Sequence, residues 1–371
     1  MNAEKTPCPI LIRPDDPVYD ENIREFQGCP TVAVTRGGRI YVGWFSGGIR
    51  EPHMDNYCLL EYSDDGGKTF GKPYLVIPSS KELLIHAEDI QLWTSPDGTL
   101  HVFWVQDDVV PQNKENLRRT DYPCITGFEG FARIGGFMFT DYTHTVWCMT
   151  CENPDAETPV FSAPHLLDRG FLRNKPLVLN EKKWLLFNYD QLNWKYGYSM
   201  TEDGGKTFSH RYGGKKVDTP FDEAMAYQRT DGAIRLLART GKCGELAESL
   251  SYDGGLTWTD GTLTGIPNPN SRFYISRTPT GRLLMIGSHH AEQRTNMTCY
   301  LSEDDGRTWC AKNTFDTRAD LSYPDADFYD GKILFVYDRE RTKAKEILFG
   351  ITTEDDILAG KAPDVHVISK P

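Results

Sequence analysis

The sequence predicts an all-β protein, a six-bladed propeller formed as a single domain over residues 1–371. Two repeats and the composition carry that expectation. Glycine (33) and proline (22) are frequent, as in chains of many short strands joined by turns, and aromatics reach 12%, enough for a large core. Repeats of this kind specify one closed body rather than several domains, because each unit buries its apolar faces only against its neighbours.

The first repeat is an eight-residue pattern, Ser/Thr-x-Asp-x-Gly-x-Thr-aromatic. It runs from Ser63 to Phe70, Thr201 to Phe208, Ser251 to Trp258 and Ser302 to Trp309. Asp accepts from backbone N–H groups a few residues on and glycine supplies positive φ, so the pattern closes a hairpin. Its aspartates are expected to hold turns, and its terminal aromatic to insert between blades. The last three copies recur about every fifty residues, the length of a four-stranded blade.

The second repeat is strand, tight turn, strand. It occurs at Thr31–Phe45, Ile90–Val105, Pro176–Tyr189, Ala224–Ala238, Phe273–Gly287 and Ala326–Tyr337. Apolar residues alternate with period two on each flank, as in half-buried antiparallel strands. These are the expected inner hairpins of the six blades. A stretch over roughly 107–145 breaks the spacing and is expected as an insertion in the second blade. The segment Pro9-Ile10-Leu11-Ile12 is expected to close the ring against the last blade.

Charge and motif content exclude several function classes. There are 41 basic and 53 acidic residues, a net charge of −12, which disfavours nucleic acid and anionic membranes as partners. The expected partner is a small molecule; oligomeric state is not legible. The N-terminal residues show no apolar leader and no stretch is long enough to cross a membrane, so the expected location is cytoplasmic. Nine cysteines, of which only Cys148 and Cys151 stand at C-x-x-C spacing, are expected as reduced thiols. With no zinc spacing, phosphate-cradling loop or nucleotide fingerprint, no cofactor or metal is expected. His86-Ala87-Glu88-Asp89 stands apart as a group suited to sugar hydroxyls or a cation, with a hydrogen-bonded turn as the alternative.

In each hairpin the start of the first strand and the end of the second lie on one side, so the residues there are expected to line a common mouth. Before the turns stand Gln27, Glu88 or Asp89, Lys175, Glu223, Arg272 and Tyr323. After them stand Gln106, Asp190, Arg239, His289 and Arg339. So many ionisable groups around one axis suit a charged or polyhydroxylated small molecule. Tyr323 and Glu223 form a possible nucleophile and base, since a phenol needs a carboxylate to take its proton.

On these motifs the chain resembles the sialidase (neuraminidase) superfamily of bacterial-neuraminidase-repeat propellers. The matching run is Glu223-Ala224-Met225-Ala226 through Asp231-Gly232 to Arg239, followed by the repeat at Ser251–Trp258. Arg294 fits a further family arginine, and Ser322-Tyr323-Pro324-Asp325 is similar to the stretch holding the family nucleophile. The resemblance implies a retaining exo-glycosidase acting on a terminal acidic sugar. It assigns Tyr323 as nucleophile, Glu223 as its base and Asp55, in the loop after the first hairpin, as acid/base. Arg239, Arg294, Gln27, Arg50, Asp89, Arg272 and Arg339 would bind substrate. One departure stands out: the family begins its first blade with Arg-Ile-Pro, and this chain has Gln27-Gly28-Cys29-Pro30. Glutamine carries no charge for a bidentate contact with a carboxylate. Arg272, Arg339 or Lys175 are the candidates to replace the missing arginine. A same-fold enzyme acting on uronic acid or deoxy-sugar glycans, and a non-catalytic carbohydrate-binding propeller, remain open alternatives.

Overall fold

A computed structural model describes residues 5–118, 134–140 and 144–371. Antiparallel sheets follow one another along the chain as six radial blades, each led by an innermost strand. These innermost strands are Phe26–Val34, Ile85–Thr94, Leu177–Val178, Met225–Gln228, Tyr274–Arg277 and Leu321–Tyr329. Each pairs with the next strand in sequence, so the six hairpins expected from alternation are the inner halves of the blades. The expected insertion, 107–145, lies partly outside the described residues. Its described part extends the second blade, where Phe137–Phe139 pairs with the end of the long strand Leu100–Pro111.

Each Ser/Thr-x-Asp pattern forms the same turn between the third and fourth strands of a blade. In the fourth blade Asp253 accepts from the Leu256 and Thr257 N–H groups at 3.0 and 2.9 Å and from the Thr257 hydroxyl at 2.6 Å. The Ser251 hydroxyl takes the Gly255 N–H at 2.9 Å. Gly255 has φ of +89°, and a Cβ there would lie 2.6 Å from Leu185 of the third blade, so both conformation and contact require glycine. The aromatic that ends the pattern packs between blades: Trp258 meets Phe187 and Tyr198 edge-on at 5.8 and 5.9 Å. Phe70 of the first blade meets Phe349 of the last at 5.6 Å.

The ring closes differently from the expectation. Leu11 and Ile12 pair with Val76 and Leu75 at the outer edge of the first blade, not with the last blade. The seam is instead closed near the axis by buried carboxylates of the sixth blade. Asp325 accepts from the Thr31 hydroxyl at 2.7 Å, the Val32 N–H at 3.0 Å and the Gln91 amide at 3.3 Å. Lys175 of the third blade stands 3.5 Å from the same carboxylate. Asp327 accepts from the Val34 N–H at 2.9 Å, and Asp338 from the Cys29 N–H at 2.7 Å. A two-residue edge pairing satisfies few backbone groups; charge-assisted bonds onto the inner strand hold the seam where the blades are closest.

Two consequences can be measured. Asp325→Ala leaves several buried donors and a lysine without their acceptor, and should destabilise the fold by ~3–5 kcal/mol in denaturant titrations. The Asp253 carboxyl is held at about 2, mainly by the Thr257 hydroxyl. Its stabilising contribution is complete above the unfolded value of ~3.9 and is lost as pH falls through about 2. Asp253→Asn should lower the melting temperature by roughly 1–3 °C at pH 7, a deficit that shrinks toward pH 2.

Candidate active site

The blades meet around a cleft of about 320 Å³ whose lining mixes four arginines, four carboxylates and several aromatic rings. The backbone explains why these side chains point inward. Cys29, Asp89, Glu223 and Tyr323 all take positive φ, at 58°, 51°, 37° and 54°. The pairing of the inner strand shifts register around three of them, between Gly28 and Thr31, Glu88 and Gln91, and Ser322 and Asp325. A left-handed residue in a bulge turns a side chain out of the sheet alternation and toward the axis. For residues other than glycine this conformation costs ~1–3 kcal/mol each, strain that the surrounding blades hold in place.

Tyr323 and Glu223, a hundred positions apart in the chain, meet in this cleft. The Tyr323 hydroxyl donates to Glu223 Oε1 at 2.6 Å. Arg239 donates to the Tyr323 oxygen at 3.0 Å and lies 2.7 Å from Glu223 Oε2. Burial opposes ionisation of Glu223, but Arg239 and Arg173, together with the Tyr323 hydroxyl, outweigh it and hold the carboxyl at about 2. Glu223 is therefore a carboxylate at neutral pH. The guanidinium carbons of Arg341, Arg173, Arg272 and Arg294 lie 4.1, 4.7, 5.5 and 5.5 Å from the centre of the Tyr323 ring.

Three of the lining arginines are matched by carboxylates: Arg239 by Glu223, Arg341 by Glu51 at 2.7 Å, and Arg173 by Asp89. Arg294 differs. It donates to the Asn270 carbonyl at 2.8 Å, and among the described residues no carboxylate lies within ion-pairing distance of it. The Asn270 side chain accepts from Arg239 Nε at 2.5 Å, so one residue orients both guanidinium groups. Phe139, Phe171, Tyr189 and Phe221 supply apolar wall, with Phe171 and Tyr189 stacked at 5.2 Å.

Of the expected site residues, Tyr323, Glu223, Arg239, Arg294, Asp89 and Glu88 line the cleft. The other expected residues are elsewhere, Gln106, Asp190 and His289 among them. Asp55 is exposed, pairs with Lys81 at 2.6 Å and lies beside Val18 and Ile23 in an outer groove. Arg50 is exposed in the same loop and is not part of the cleft lining. Gln27 is fully buried, where it accepts from Trp44 at 3.2 Å and donates to the Lys345 carbonyl. Arg272 lies beneath the floor and donates to three backbone carbonyls, those of Arg173, Pro324 and Pro30 at 2.8, 3.1 and 3.2 Å. It staples four blades together. Arg339 pairs with Glu346 at 3.1 Å on the rim. Lys175 likewise serves the seam. For Gln27 and Arg339 strand alternation turns the side chain away from the mouth, whereas Asp55 and Arg50 stand in a loop and Arg272 and Lys175 just before their strands, where spacing alone does not fix direction.

Three lining residues escape the spacing argument. Arg173 stands two positions before Lys175, Arg341 two positions after Arg339, and Glu51 four before Asp55. Arg341 reaches the cleft by crossing Gly28, where any Cβ would lie 2.8 Å from its side chain. An arginine of the sixth blade thus stands against the first-blade backbone, next to Cys29. The glycine of Gln27-Gly28-Cys29-Pro30 was the one available signal, since close approach of another chain requires a residue without a side chain.

Comparison with known proteins agrees with this architecture. The intramolecular trans-sialidase from Ruminococcus gnavus, solved with oseltamivir carboxylate, superposes with a TM-score of 0.66 at 14% identity over 94% of this chain and 98% of that one. NanB sialidase from Streptococcus pneumoniae gives 0.65 at 14% identity over 95% of this chain and 71% of that one. A protein of unknown function from Dyadobacter fermentans gives 0.63 at 16% identity, with 98% and 99% covered. At these identities the likeness is one of fold. No curated protein matches the sequence. Residues 38–333 match the family described as BNR repeat-like domain, and the chain belongs to that family, with the six-bladed architecture of sialidases.

Proposed function

We propose that the protein is a retaining exo-glycosidase of sialidase type that releases a terminal acidic sugar. The observation that carries the proposal is the contact among Tyr323, Glu223 and Arg239 on the floor of a cleft rich in arginine. In the first step Tyr323 Oη attacks the anomeric carbon as its proton passes to Glu223. A carboxylate held at about 2 is a weak base in isolation. Here the proton moves between two oxygens inside one cage of guanidinium groups. The cage stabilises the negative charge whichever oxygen holds it, so little is lost when the phenolate forms. A neutral phenol also approaches a negatively charged sugar without the repulsion a carboxylate nucleophile would meet.

Substrate charge is assigned to Arg239, Arg294 and Arg341. Arg294, which lacks a carboxylate partner among the described residues, offers the first docking point for an anion. Arg341 takes the part of the arginine missing from the first blade. Glu51, on the loop that follows the first hairpin, is the proposed acid/base in place of Asp55. Although burial favours its neutral form, Arg341 and Arg173 dominate and lower its pKa in the free protein. A substrate carboxylate that engages Arg341 withdraws that stabilisation and raises Glu51, so that binding itself loads the proton needed by the leaving oxygen. The same side chain, ionised after departure of the aglycone, then activates the water that hydrolyses the glycosyl-tyrosine.

Aryl glycosides of sialic acid, uronic acids and deoxy sugars test the assignment directly. Cleavage of an acidic glycoside with net retention is expected, and failure on the whole panel overturns it. Tyr323→Phe should reduce kcat by a factor on the order of 10³ or more while ligand affinity and fold are kept; a binding module would be unaffected. Glu51→Gln should lower kcat by ~10²–10⁴ for poor leaving groups and far less for activated aryl ones, whereas Asp55→Asn should change either rate less than ~2-fold. Equal loss on both leaving-group classes would remove Glu51 from the acid role.

A further inference from the structure

On the second blade a group of buried ionisable side chains plays no part in the proposed hydrolysis. His86 is fully buried and neither ring nitrogen has a hydrogen-bond partner. Burying an imidazole with both nitrogens unsatisfied is costly, and native interiors rarely tolerate it without an unseen partner. Glu88 and Asp107, 5% and 1% exposed, face it. Among the described residues, no lysine or arginine lies within ion-pairing distance of either carboxyl.

The strand geometry makes these donors converge. His86 and Glu88 stand two apart on one strand and so share a face, and Asp107 is the cross-strand partner of His86. One donor atom from each of the three lies within 4.8 Å of the others, with His86 Nδ1 3.7 Å from Asp107 Oδ2. The other Asp107 oxygen is bonded to His144 Nδ1. That is the arrangement by which an outer histidine orients a metal-bound carboxylate. The rings of Phe45 and Phe139, at 6.1 and 5.5 Å, pack edge-on against His86 and limit access of water.

From this convergence we infer that His86, Glu88 and Asp107 form a binding site for a divalent first-row transition metal such as Zn²⁺, with His144 orienting Asp107. One imidazole and two carboxylates suit zinc or manganese better than calcium or magnesium, which take oxygen donors. The donors need to move inward by less than ~1 Å to share an ion with bonds of ~2.0–2.2 Å. Burial and the neighbouring charge of Asp107 push the Glu88 carboxyl well above the usual range, and a cation between them would relieve that repulsion. Because Glu88 lines the cleft and precedes Asp89, the ion would brace the bulge that aims Asp89 at Arg173.

The test uses the full chain after treatment with chelator, titrated calorimetrically with Zn²⁺ alone and with Mn²⁺ alone. One equivalent of Zn²⁺ or Mn²⁺ is expected, with a rise in melting temperature. His86→Ala and Glu88→Gln should each weaken binding at least tenfold, and His144→Ala by ~10–100-fold, with unchanged circular dichroism. The inference is overturned if the unaltered chain binds neither ion stoichiometrically, or if His86→Ala or Glu88→Gln binds as tightly as the parent. Should His86→Ala fail to fold, Glu88→Gln, which keeps shape and volume, decides. These outcomes are independent of whether the protein cleaves a glycoside.

Discussion

Six sheets arranged around an axis leave one seam, and the site depends on how that seam is held. In this protein Asp325, Asp327 and Asp338 of the last blade reach across it to the inner strand of the first. Asp325 also gathers Gln91 and Lys175, so one buried carboxylate ties together four blades. Buried charges of this kind are stable only when fully paired, which makes the closed ring a cooperative structure. Arg272 adds a cation beneath the floor that donates to three backbone carbonyls. Tyr323 stands two residues from Asp325, and its position in the cleft is set by the same contacts.

Above that floor, the cleft is built from strained backbone. The inner strands of blades one, two and six carry a bulge at the axis, and Glu223 takes the same left-handed conformation just before the inner strand of blade four. Packing between blades holds these conformations, because the inner strands of blades one, four and six each contact those of both neighbouring blades. The outcome is a phenol, a carboxylate and several guanidinium groups with few alternative rotamers, an environment organised before any ligand arrives.

The electrostatics follow from how charges are shared out. A chain of net charge −12 presents four arginines in one concave space, three of them already neutralised by carboxylates. An anionic ligand must compete for those guanidinium groups, which favours ligands that match their geometry over anions in general. Each displaced carboxylate then changes its own proton affinity. In the proposed mechanism, recognition and proton transfer are linked through the Glu51–Arg341 pair.

The sequence alone determined the scaffold, because hairpin alternation and the Ser/Thr-x-Asp turns are local: a turn closes on residues within eight positions of itself. It also placed Tyr323, Glu223, Arg239 and Asp89 near the axial ends of the inner hairpins, while Arg294, in a loop, followed from the family resemblance. Tertiary structure decided the rest. Whether a side chain near a strand end faces the axis depends on a bulge, and a shift of one residue reverses its direction. That is why Arg272, Arg339 and Gln27 serve packing and the seam while Arg173 and Arg341, two residues from expected positions, enter the cleft. Loop residues such as Glu51 and Asp55 follow no period at all. Their placement is set by contacts with distant blades, and no local pattern encodes those.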